Sequence, residues 1–481
     1  MREQTVDVAV IGVGTAGLNA RRAAEKAGAQ AVAIDPGPLG TLCARVGCMP
    51  SKLLIAAGEA AHAVREAKRF GVHAGEPRVV PGEVMGRVRR ERDRFVEYQL
   101  KEVRRLAANG LLIDGRARFV ATNELAVGDD LRVKARKAVV VATGSVVKVP
   151  PLLAKLESPR VIDSDQVFEL EAIPERLLVV GAGPIGVELG QALARLGARV
   201  TVICADGKVA GIRDPAVLAA AKSGLAREMT LHTRSKLEAA EARVDGVWVR
   251  FRGEDGEVSE GTWPMVLAAT GREPRLKGLE LERAGVELDD KGRPRELDAT
   301  TLQCGEAPVF LAGDATGLHP LLHEAIDDGQ IAGRNAASFP TVLPGERRTP
   351  LGIVFTDPQV AFVGRRFNSL DLATCSIGQV DFGDQGRARV MGKNHGLLRV
   401  YGSDATGALL GAELAGPAGE HLAHLLAWAI QSSLTVEQAL RLPFYHPVVE
   451  EGLRTALLDL RSQMSAKTGA GKAAAGAPGG G

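Results

Sequence analysis

Two glycine-rich turns, each placed between a strand and a helix, constrain the fold of this chain most strongly. The first segment reads VDVAVIGVGTAGLNARRAAEKAGAQAVAID and carries the pattern G-x-G-x-x-G at Gly12, Gly14 and Gly17. The β-branched run before it predicts a buried parallel strand, and the helix-forming residues after it predict a helix. Such glycines let backbone N–H groups approach a pyrophosphate at the helix N-terminus. Asp35, eighteen residues after Gly17, stands near the position of an acid that accepts ribose hydroxyl groups.

The pattern recurs in the middle of the chain. The segment RLLVVGAGPIGVELGQALARLGARVTVIC repeats the strand, turn, helix and strand, with glycines at Gly181, Gly183 and Gly186. Two dinucleotide folds in one chain predict two dinucleotides, with electrons passed from one to the other.

The second copy differs from the first at the position of the ribose-binding acid. Cys204 stands there, and a thiol cannot accept hydrogen bonds from both ribose hydroxyl groups. Lys208 and Arg213 follow closely and could meet the 2′-phosphate of NADP, although such residues are more often solvated loop charges. We expect NAD, with NADP kept as the alternative.

The rest of the chain divides around these two units. The segments VVVATGS and VLAATGR each close one nucleotide-binding unit, and they add Thr143, Gly144 and Gly271 to the candidate cofactor-binding residues. A long, charged helix is predicted over residues 83–109, with its arginines on a solvated face. From about residue 346, shorter strands, turns and one helical stretch indicate a third domain.

Composition excludes several classes of function. Sixty basic and fifty-eight acidic residues leave a formal net charge of +2, so no excess field attracts nucleic acid or an anionic membrane. No stretch reaches the roughly 20 apolar residues that a membrane helix needs, and no basic leader precedes the first strand. Five cysteines, an odd number in 481 residues, do not describe a secreted disulfide framework. We expect a cytoplasmic protein with no nucleic-acid or membrane partner, in which any disulfide is transient.

The stretch LGTLCARVGCMPSK holds Cys43 and Cys48, with four residues between them. On an ideal helix their Cα atoms would lie about 8.6 Å apart, beyond the roughly 7 Å that a disulfide tolerates. Gly47 and Pro50 can supply the distortion that a bond needs, at the entrance to a helix expected from Ser51 onwards.

We interpret this pair as redox-active and not as a structural disulfide or a metal site. So short a loop ties nothing distant together, and no second cysteine pair completes a metal site, so we predict no metal. A thiolate at a helix N-terminus near Lys52 would have a lowered pKa, as thiol–disulfide exchange requires.

Together these motifs resemble those of the flavin-dependent pyridine nucleotide–disulfide oxidoreductases. In the order of that family they are GVGTAG, CARVGCMPSK, GAGPIGVELG, VFLAGDATG, IVFTDPQVAFVG and FYHPVVEEGL. The resemblance covers almost the whole chain up to about residue 462, and it is greatest with the branch of the family that oxidises dihydrolipoamide.

The resemblance implies the cofactors and the domain plan. FAD binds the first glycine motif, NAD binds the second, and the C-terminal domain forms a homodimer. The fold class is therefore α/β, with two Rossmann-like dinucleotide-binding domains for FAD and NAD(P) and a C-terminal α+β dimerisation domain. The predicted boundaries are 1–150 for the first part of the FAD-binding domain, 151–275 for the NAD(P)-binding domain, 276–345 for the return segment of the FAD-binding domain, 346–464 for the interface domain and 465–481 for a disordered tail rich in glycine and alanine.

The resemblance also assigns roles around the cysteine pair. Cys48 lies against the flavin and forms a thiolate, and Cys43 is the outer thiol that exchanges with the substrate. Lys52 lies beside the flavin and pairs with Glu188, because a buried ammonium group needs such a partner.

Further implied roles fall on the return segment and on the C-terminal domain. Gly313 and Asp314, in VFLAGDATG, contact FAD, the aspartate through the ribityl chain. His323 lies on a helix near the flavin, where a capping or packing role is an equal alternative. His446 is the acid–base, oriented by Glu451, and it reaches the disulfide of the other subunit. A departing sulfur needs a proton near neutral pH, which an imidazole can supply.

The implied reaction is the oxidation of dihydrolipoamide by NAD, through FAD and the cysteine pair. One alternative is an NAD(P)H-dependent reductase of glutathione disulfide or another low-molecular-weight disulfide. The other is a flavoprotein with mainly an interaction or redox-sensing role, for example in a 2-oxoacid dehydrogenase complex. Mercuric reduction is disfavoured because no paired cysteines follow Cys375. The chain departs from the family at Phe444, at Val448 and in the lead-in GTLC, which places Leu42 beside Cys43 and leaves the substrate open.

Overall fold

The computed structural model of the chain describes residues 2–475, with side chains described as far as residue 467. In the first part of the chain, the strand, turn, helix and strand of the first glycine motif form where the sequence predicts them. The elements of this part are β1 (Arg2–Ile11), α1 (Thr15–Lys26), β2 (Ala31–Asp35), α2 (Leu42–Val46), α3 (Cys48–Glu66), α4 (Pro81–Ala108), β3 (Leu112–Asp114), β4 (Ala117–Ala121), β5 (Glu124–Val127), β6 (Leu131–Val141) and β7 (Ser145–Val147).

The second glycine motif lies in a second parallel sheet. The elements of this part are α5 (Pro151–Ala154), β8 (Val161–Asp163), β9 (Arg176–Val180), α6 (Pro184–Arg195), β10 (Arg199–Cys204), α7 (Pro215–Leu225), β11 (Thr230–Thr233), β12 (Lys236–Ala242), β13 (Val247–Arg252), β14 (Val258–Trp263), β15 (Met265–Ala268) and β16 (Arg272–Pro274). The parallel strands have the order β11-β10-β9-β15-β8. Strands β12 to β14 form a separate antiparallel sheet, and β16 pairs with β7 of the first part.

The chain then returns to the first sheet. Strand β17 (Val309–Leu311) pairs in parallel with β6, and α8 (Leu322–Ser338) packs on α1. A Cβ on Gly329 or Gly333 would lie 2.4 or 2.1 Å from a backbone oxygen of α1, so these glycines allow the two helices to approach. The parallel order of this sheet is β3-β2-β1-β6, with β17 beside β6 and the antiparallel strands β5 and β4 at the edge.

An antiparallel sheet organises the C-terminal part. Its elements are β18 (Leu351–Val354), β19 (Gln359–Gly364), β20 (Cys375–Asp381), α9 (Gly386–Val390), β21 (Leu397–Ser403), β22 (Leu409–Gly416), α10 (Gly419–Gln431), α11 (Val436–Leu440) and α12 (Glu451–Ala475). The strand order is β18-β19-β22-β21-β20, and helices α10 and α12 bury their apolar faces against this sheet. The predicted α/β fold class, with two Rossmann-like units and a C-terminal α+β domain, is confirmed.

The structure differs from the sequence-based expectation at two helix ends. Helix α3 begins at Cys48 and not near Ser51, because Pro50 is accommodated in the first turn, where its missing N–H leaves no hydrogen bond unmade. Helix α12 runs on to Ala475, where a disordered tail was expected from residue 465. Alanine and lysine favour the helix, and the preceding turns already supply its nucleus. Residues 476–481 lie outside the described residues.

No helix within residues 2–475 combines the length and the apolar character that crossing a membrane requires.

Candidate active site

Cys43 and Cys48 lie on either side of a break between two helices. Cys43 belongs to α2, Cys48 begins α3, and Gly47 separates the helices. A Cβ on Gly47 would lie 3.1 Å from Cα of Cys43, so a glycine at this point lets the two helix ends approach. Thr41 caps α2 by accepting a hydrogen bond from the N–H of Ala44. Both cysteines are free thiols in this structure, and each affects the pKa of the other.

The negative charge of the pair resides on Cys48. The hydrogen bond from Cys43 is the main influence that lowers the pKa of the Cys48 thiol to about 7, and the Lys52 ammonium group lowers it further. The same hydrogen bond raises the pKa of Cys43 far above its ordinary value, and burial acts in the same direction. Cys48 is therefore the thiol of the reduced pair that ionises around neutral pH while Cys43 keeps its proton, and the thiolate is the form that takes part in thiol–disulfide exchange.

Lys52 and Glu188 form an ion pair one helical turn after Cys48. Nζ of Lys52 lies 2.8 Å from Oε2 of Glu188, whose side chain is 8% exposed. The other carboxylate oxygen, Oε1, accepts a hydrogen bond from the N–H of Phe355 at 2.8 Å. The Lys52 ammonium group also lies 4.5 Å from the centroid of the Phe355 ring. The first part of the chain, the second nucleotide unit and the C-terminal sheet therefore meet beside the cysteines.

The first glycine turn is tightly packed at its ends and open in its middle. A Cβ on Gly12 would lie 2.3 Å from the backbone oxygen of Ala142, and a Cβ on Gly17 would lie 2.0 Å from that of Gly12. Around Gly14, by contrast, no described atom lies within 4 Å of the position of an added Cβ. The outer glycines bring strand and helix together, and the middle one leaves the backbone accessible, as pyrophosphate binding requires.

Asp35 ends β2 beside this turn. Its Oδ2 accepts a hydrogen bond from the N–H of Val13 at 2.8 Å, and its Oδ1 accepts one from the N–H of Gly37 at 2.7 Å. The carboxylate therefore holds the turn in place, and each oxygen retains a further lone pair. Its contact with a ribose remains a prediction.

The second glycine turn repeats the geometry of the first. A Cβ on Gly181 would lie 2.2 Å from the backbone oxygen of Ala269, a Cβ on Gly186 would lie 2.0 Å from that of Gly181, and nothing described lies within 4 Å at Gly183. The turn opens into a cavity of about 700 Å³. This volume lies in the range of small-molecule and cofactor sites.

Not all of the residues considered for the NAD or NADP preference line this cavity. Cys204 lines it, but its thiol donates a hydrogen bond to the backbone oxygen of Asp206 at 2.8 Å. Asp206 and Lys208 also line the cavity, and their side chains form an ion pair at 3.3 Å. Arg213 does not line the cavity and its side chain is exposed, which agrees with the more common alternative of a solvated loop charge. Its N–H donates at 2.7 Å to the buried carboxylate of Glu413, on the C-terminal sheet, which fixes this part of the chain there.

Outside the two glycine turns, the predicted cofactor-binding glycines Gly144, Gly271 and Gly313 have positive φ angles. The φ angles are +72° at Gly144, +107° at Gly271 and +67° at Gly313, and a glycine adopts such angles without strain. Oγ1 of Thr143 donates a hydrogen bond to the backbone oxygen of Arg275 at 2.7 Å, which joins the two crossing segments between the nucleotide units.

A chain of hydrogen bonds connects Asp314 with the second nucleotide unit. Oδ2 of Asp314 accepts from the Ser145 hydroxyl at 2.7 Å, and the oxygen of that hydroxyl accepts from Nε of Arg272 at 2.9 Å. Nη1 of Arg272 in turn lies 2.7 Å from Oδ1 of Asp165. The predicted FAD-binding acid is therefore held by residues from both units.

His323 lies at the start of α8, in the first turn of that helix. Its side chain is 37% exposed, and Nε2 lies 3.8 Å from a carboxylate oxygen of Glu324 without a hydrogen-bond partner among the described residues. Both predicted roles, beside the flavin or in local packing, remain open for it.

His446 and Glu451 form a pair at the surface of the C-terminal domain. Nδ1 of His446 lies 2.9 Å from Oε1 of Glu451, and Oε2 accepts from the N–H of Val448 at 3.2 Å. These hydrogen bonds hold the pKa of Glu451 below its ordinary value. The histidine side chain is 81% exposed, and among the described residues it forms no hydrogen bond with either cysteine. Within one chain, Glu451 therefore holds the imidazole at the surface of the C-terminal domain.

The two glycine turns suit dinucleotide cofactors, and Cys48 of the cysteine pair ionises more readily than Cys43. Together they define a protein that transfers electrons between dinucleotides and sulfur. The chain belongs to the pyridine nucleotide–disulphide oxidoreductase family, whose model matches residues 6–329, while the dimerisation domain of that family matches residues 351–457.

Relatives of known name agree with this assignment. The chain is 31% identical over 468 residues to the dihydrolipoyl dehydrogenase of Thermus scotoductus, with 96% of this chain and 98% of that protein covered. It is also 31% identical over 485 residues to the mercuric reductase of Streptomyces lividans, with 95% and 97% covered. The structure of LpdA from Mycobacterium tuberculosis superposes with a TM-score of 0.78 at 24% identity, covering 95% of this chain and 99% of that one.

The cofactors of the family, FAD and NAD(H), fit the residues present. Each glycine turn leaves its middle backbone segment open for a pyrophosphate, and the second turn adjoins a cavity of suitable volume. Within the described part of the chain, no group of three or more His, Cys, Asp or Glu side chains could hold a metal ion.

Four residues of this site were not predicted from the sequence, namely Phe355, Ser145, Arg272 and Asp206. Ser145 and Arg272 directly follow predicted cofactor-binding glycines, so their position could have indicated them. Phe355 ends the apolar run IVF. From a strand prediction, residues of such a run are expected only to pack in the core. Asp206 lies two residues past the position at which an acid is expected, and spacing alone gives no reason to choose it.

Proposed function

We propose that the protein passes electrons between a dithiol or disulfide substrate and NAD through the Cys43–Cys48 pair, with dihydrolipoamide as the favoured substrate. The observation that carries this proposal is the placement of Cys43 and Cys48 on either side of the helix break at Gly47, with the Lys52–Glu188 ion pair one helical turn after Cys48. The likeness to a dihydrolipoyl dehydrogenase over nearly the whole chain supports the choice of substrate.

The chemistry of the pair begins from its oxidised, disulfide form. A substrate thiolate attacks Sγ of Cys43, which breaks the bond to Cys48 and leaves the electron pair there as a thiolate. The second substrate thiolate then attacks the substrate sulfur of this mixed disulfide, and Cys43 departs and takes up a proton. The substrate dithiol has become a disulfide, and the cysteine pair has gained two electrons. FAD, held at the turn from Gly12 to Gly17, would supply the two-electron acceptor for the pair, and NAD, held at the turn around Gly183, would supply the final acceptor.

A proton acceptor must serve the substrate thiol, and we assign this role to the partner subunit's His446. Its exposure, and the absence of a hydrogen bond to either cysteine of its own chain, support a homodimer with two shared sites. Because Glu451 holds Nδ1, Nε2 is the atom left to take the proton.

The residues on the cofactor side have positioning roles in this proposal. Lys52 and Glu188 would lie on the flavin side of Cys48, and Asp314 would hold the ribityl chain. The glycine turn from Gly12 to Gly17 would bind the FAD pyrophosphate, with Asp35 at the ribose. The matching turn around Gly183 binds that of NAD.

A substrate survey tests the proposed reaction. We expect the purified holoenzyme to oxidise dihydrolipoamide with NAD, with kcat/KM at least about tenfold above the values for NADH-dependent reduction of glutathione disulfide or Hg(II). No turnover with dihydrolipoamide, together with rapid reduction of another disulfide or of Hg(II), would show a reductase instead.

A reductase of a different disulfide is the second candidate, and the apolar surroundings of the cysteine and histidine favour it. Leu42 precedes Cys43, and Phe444 and Val448 line an apolar cavity of about 380 Å³ next to His446. These side chains suit a substrate that is bulkier and more apolar than the one expected from the sequence that usually precedes the first cysteine in this family. A mercuric reductase among the relatives supports a range of acceptors.

The cellular setting is a further part of the proposal. Cytoplasmic action is supported by the cysteine content, since five cysteines in 481 residues do not describe a secreted disulfide framework. If dihydrolipoamide is the substrate, a 2-oxoacid dehydrogenase complex is the partner expected to present it.

The coenzyme preference should depend on Asp206. We expect Asp206→Ala to raise the ratio of kcat/KM for NADP to that for NAD by about tenfold, because it removes a carboxylate that repels a 2′-phosphate and frees Lys208 to meet it. Lys208→Ala is the matched control and should lower the same ratio. Initial rates with each coenzyme measure both effects, and an unchanged ratio in both variants would place the 2′ position elsewhere in the cavity.

A further inference from the structure

Phe355 touches both members of the ion pair beside Cys48, and it does so with two different groups. It follows the last residue of β18 in the C-terminal domain. Its backbone N–H donates to Oε1 of Glu188 at 2.8 Å, and its ring centroid lies 4.5 Å from Nζ of Lys52. Lys52 and Glu188 are themselves 2.8 Å apart. One residue of the dimerisation domain thus contacts a side chain from each of the two nucleotide-binding units.

The exposure of the two charged side chains shows why the ring matters for Lys52. Glu188, at 8% side-chain exposure, is held by hydrogen bonds on both oxygens. Lys52 is 34% exposed, and a long side chain with that much access to water has several conformations open to it. A cation over an aromatic face is attracted by the ring and shielded from water on that side. The ring therefore restricts the ammonium group to its position against Glu188, one helical turn after Cys48.

We infer that Phe355 is a positioning residue, through which the dimerisation domain fixes the Lys52 charge beside the Cys48 thiolate. The inference deepens the proposed function and rests on it for the role of Cys48. The groups that act on Cys48 are Cys43 from α2, Lys52 from α3 and Glu188 from α6. Lys52 stabilises the thiolate and Glu188 opposes it, so the placement of the ammonium group between them sets the balance.

The test is the pH dependence of Cys48 alkylation in the reduced holoenzyme. Iodoacetamide reacts with the thiolate, so its rate against pH gives the midpoint of the Cys48 titration. Trypsin cuts after Arg45 and Lys52, which places Cys43 and Cys48 on separate peptides for mass spectrometry. We expect Phe355→Leu to raise the Cys48 midpoint by about half a pH unit, because a mobile Lys52 stabilises the thiolate less.

Two further variants fix the sign and the cause of the shift. Phe355→Tyr keeps the aromatic face and the backbone N–H, so its midpoint should equal that of the parent protein. Glu188→Gln should lower the midpoint, because it removes the charge that opposes the thiolate. If Phe355→Leu loses FAD, Phe355→Met replaces it in the series. A leucine or methionine midpoint equal to that of the parent, or a tyrosine midpoint shifted equally, would overturn the inference.

The titration needs no substrate, so it separates this inference from the proposed function. Failure to turn over any dithiol or disulfide, with midpoints as expected, would reject the function and leave the positioning role in place.

Discussion

Serine in place of Cys43 or Cys48 is expected to lower kcat with dihydrolipoamide, or with any disulfide substrate, by at least about a thousandfold. Either change prevents the intramolecular disulfide, so no electron pair can pass between the substrate and the flavin. Reduction of bound FAD by NADH should persist, because the glycine turns and the nucleotide cavity do not depend on the two thiols. Stopped-flow reduction and steady-state turnover measure the two half-reactions separately.

Cys375→Ser is the matched control for these variants. Cys375 is buried in β20, in the antiparallel sheet of the C-terminal domain, away from both glycine turns. We expect it to turn over at the parental rate. Substantial turnover in either Cys43→Ser or Cys48→Ser would contradict a redox role for the pair and favour direct transfer from the flavin to an acceptor.

The second large effect is expected at His446. Replacement by glutamine should lower turnover by about 10²–10⁴-fold, because the substrate thiol then lacks its proton acceptor. Glu451→Gln should cause a smaller loss, since the imidazole is still present but is no longer oriented by a carboxylate. His73→Gln, at an exposed position on the loop before α4, is the control and should have no effect.

Mixed dimers test whether the site is shared. A dimer of one Cys43→Ser subunit and one His446→Gln subunit contains one complete site if the histidine acts across the interface. Co-expression of the two variants should therefore restore activity that neither homodimer shows. No recovery in purified mixed dimers would indicate that His446 serves its own chain or has no catalytic role.

The parts of the fold that were predictable are those in which local pattern and tertiary structure agree. In each glycine turn the backbone approaches so closely that a Cβ atom would not fit, as at Gly17 and Gly186. The glycine motif and the strand–helix geometry therefore occur together. The start of α3 was less accessible to prediction. A proline in the first turn of a helix does not determine which residue begins that helix. The close packing of Gly47 against Cys43 makes Cys48 the first residue of α3.

The candidate site was predictable to the extent that its chemistry depends on residues close in sequence. The Cys43–Cys48 pair and the His446–Glu451 pair each lie within one short segment, and the second pair is hydrogen-bonded in the structure. Phe355 could not be found in this way, because its importance arises only where three parts of the chain meet. For Arg213, the buried carboxylate of Glu413, distant in sequence, decides where the backbone lies.

The most direct test of the central claim is an anaerobic reductive titration of the purified holoenzyme with dithionite, scored as electrons taken up per FAD. The flavin and a disulfide each accept an electron pair, so the parent protein should take up twice as many electrons as the Cys43→Ser variant before the flavin is fully reduced. Equal uptake by the two proteins would show that Cys43 and Cys48 do not form a redox pair, and would contradict the account.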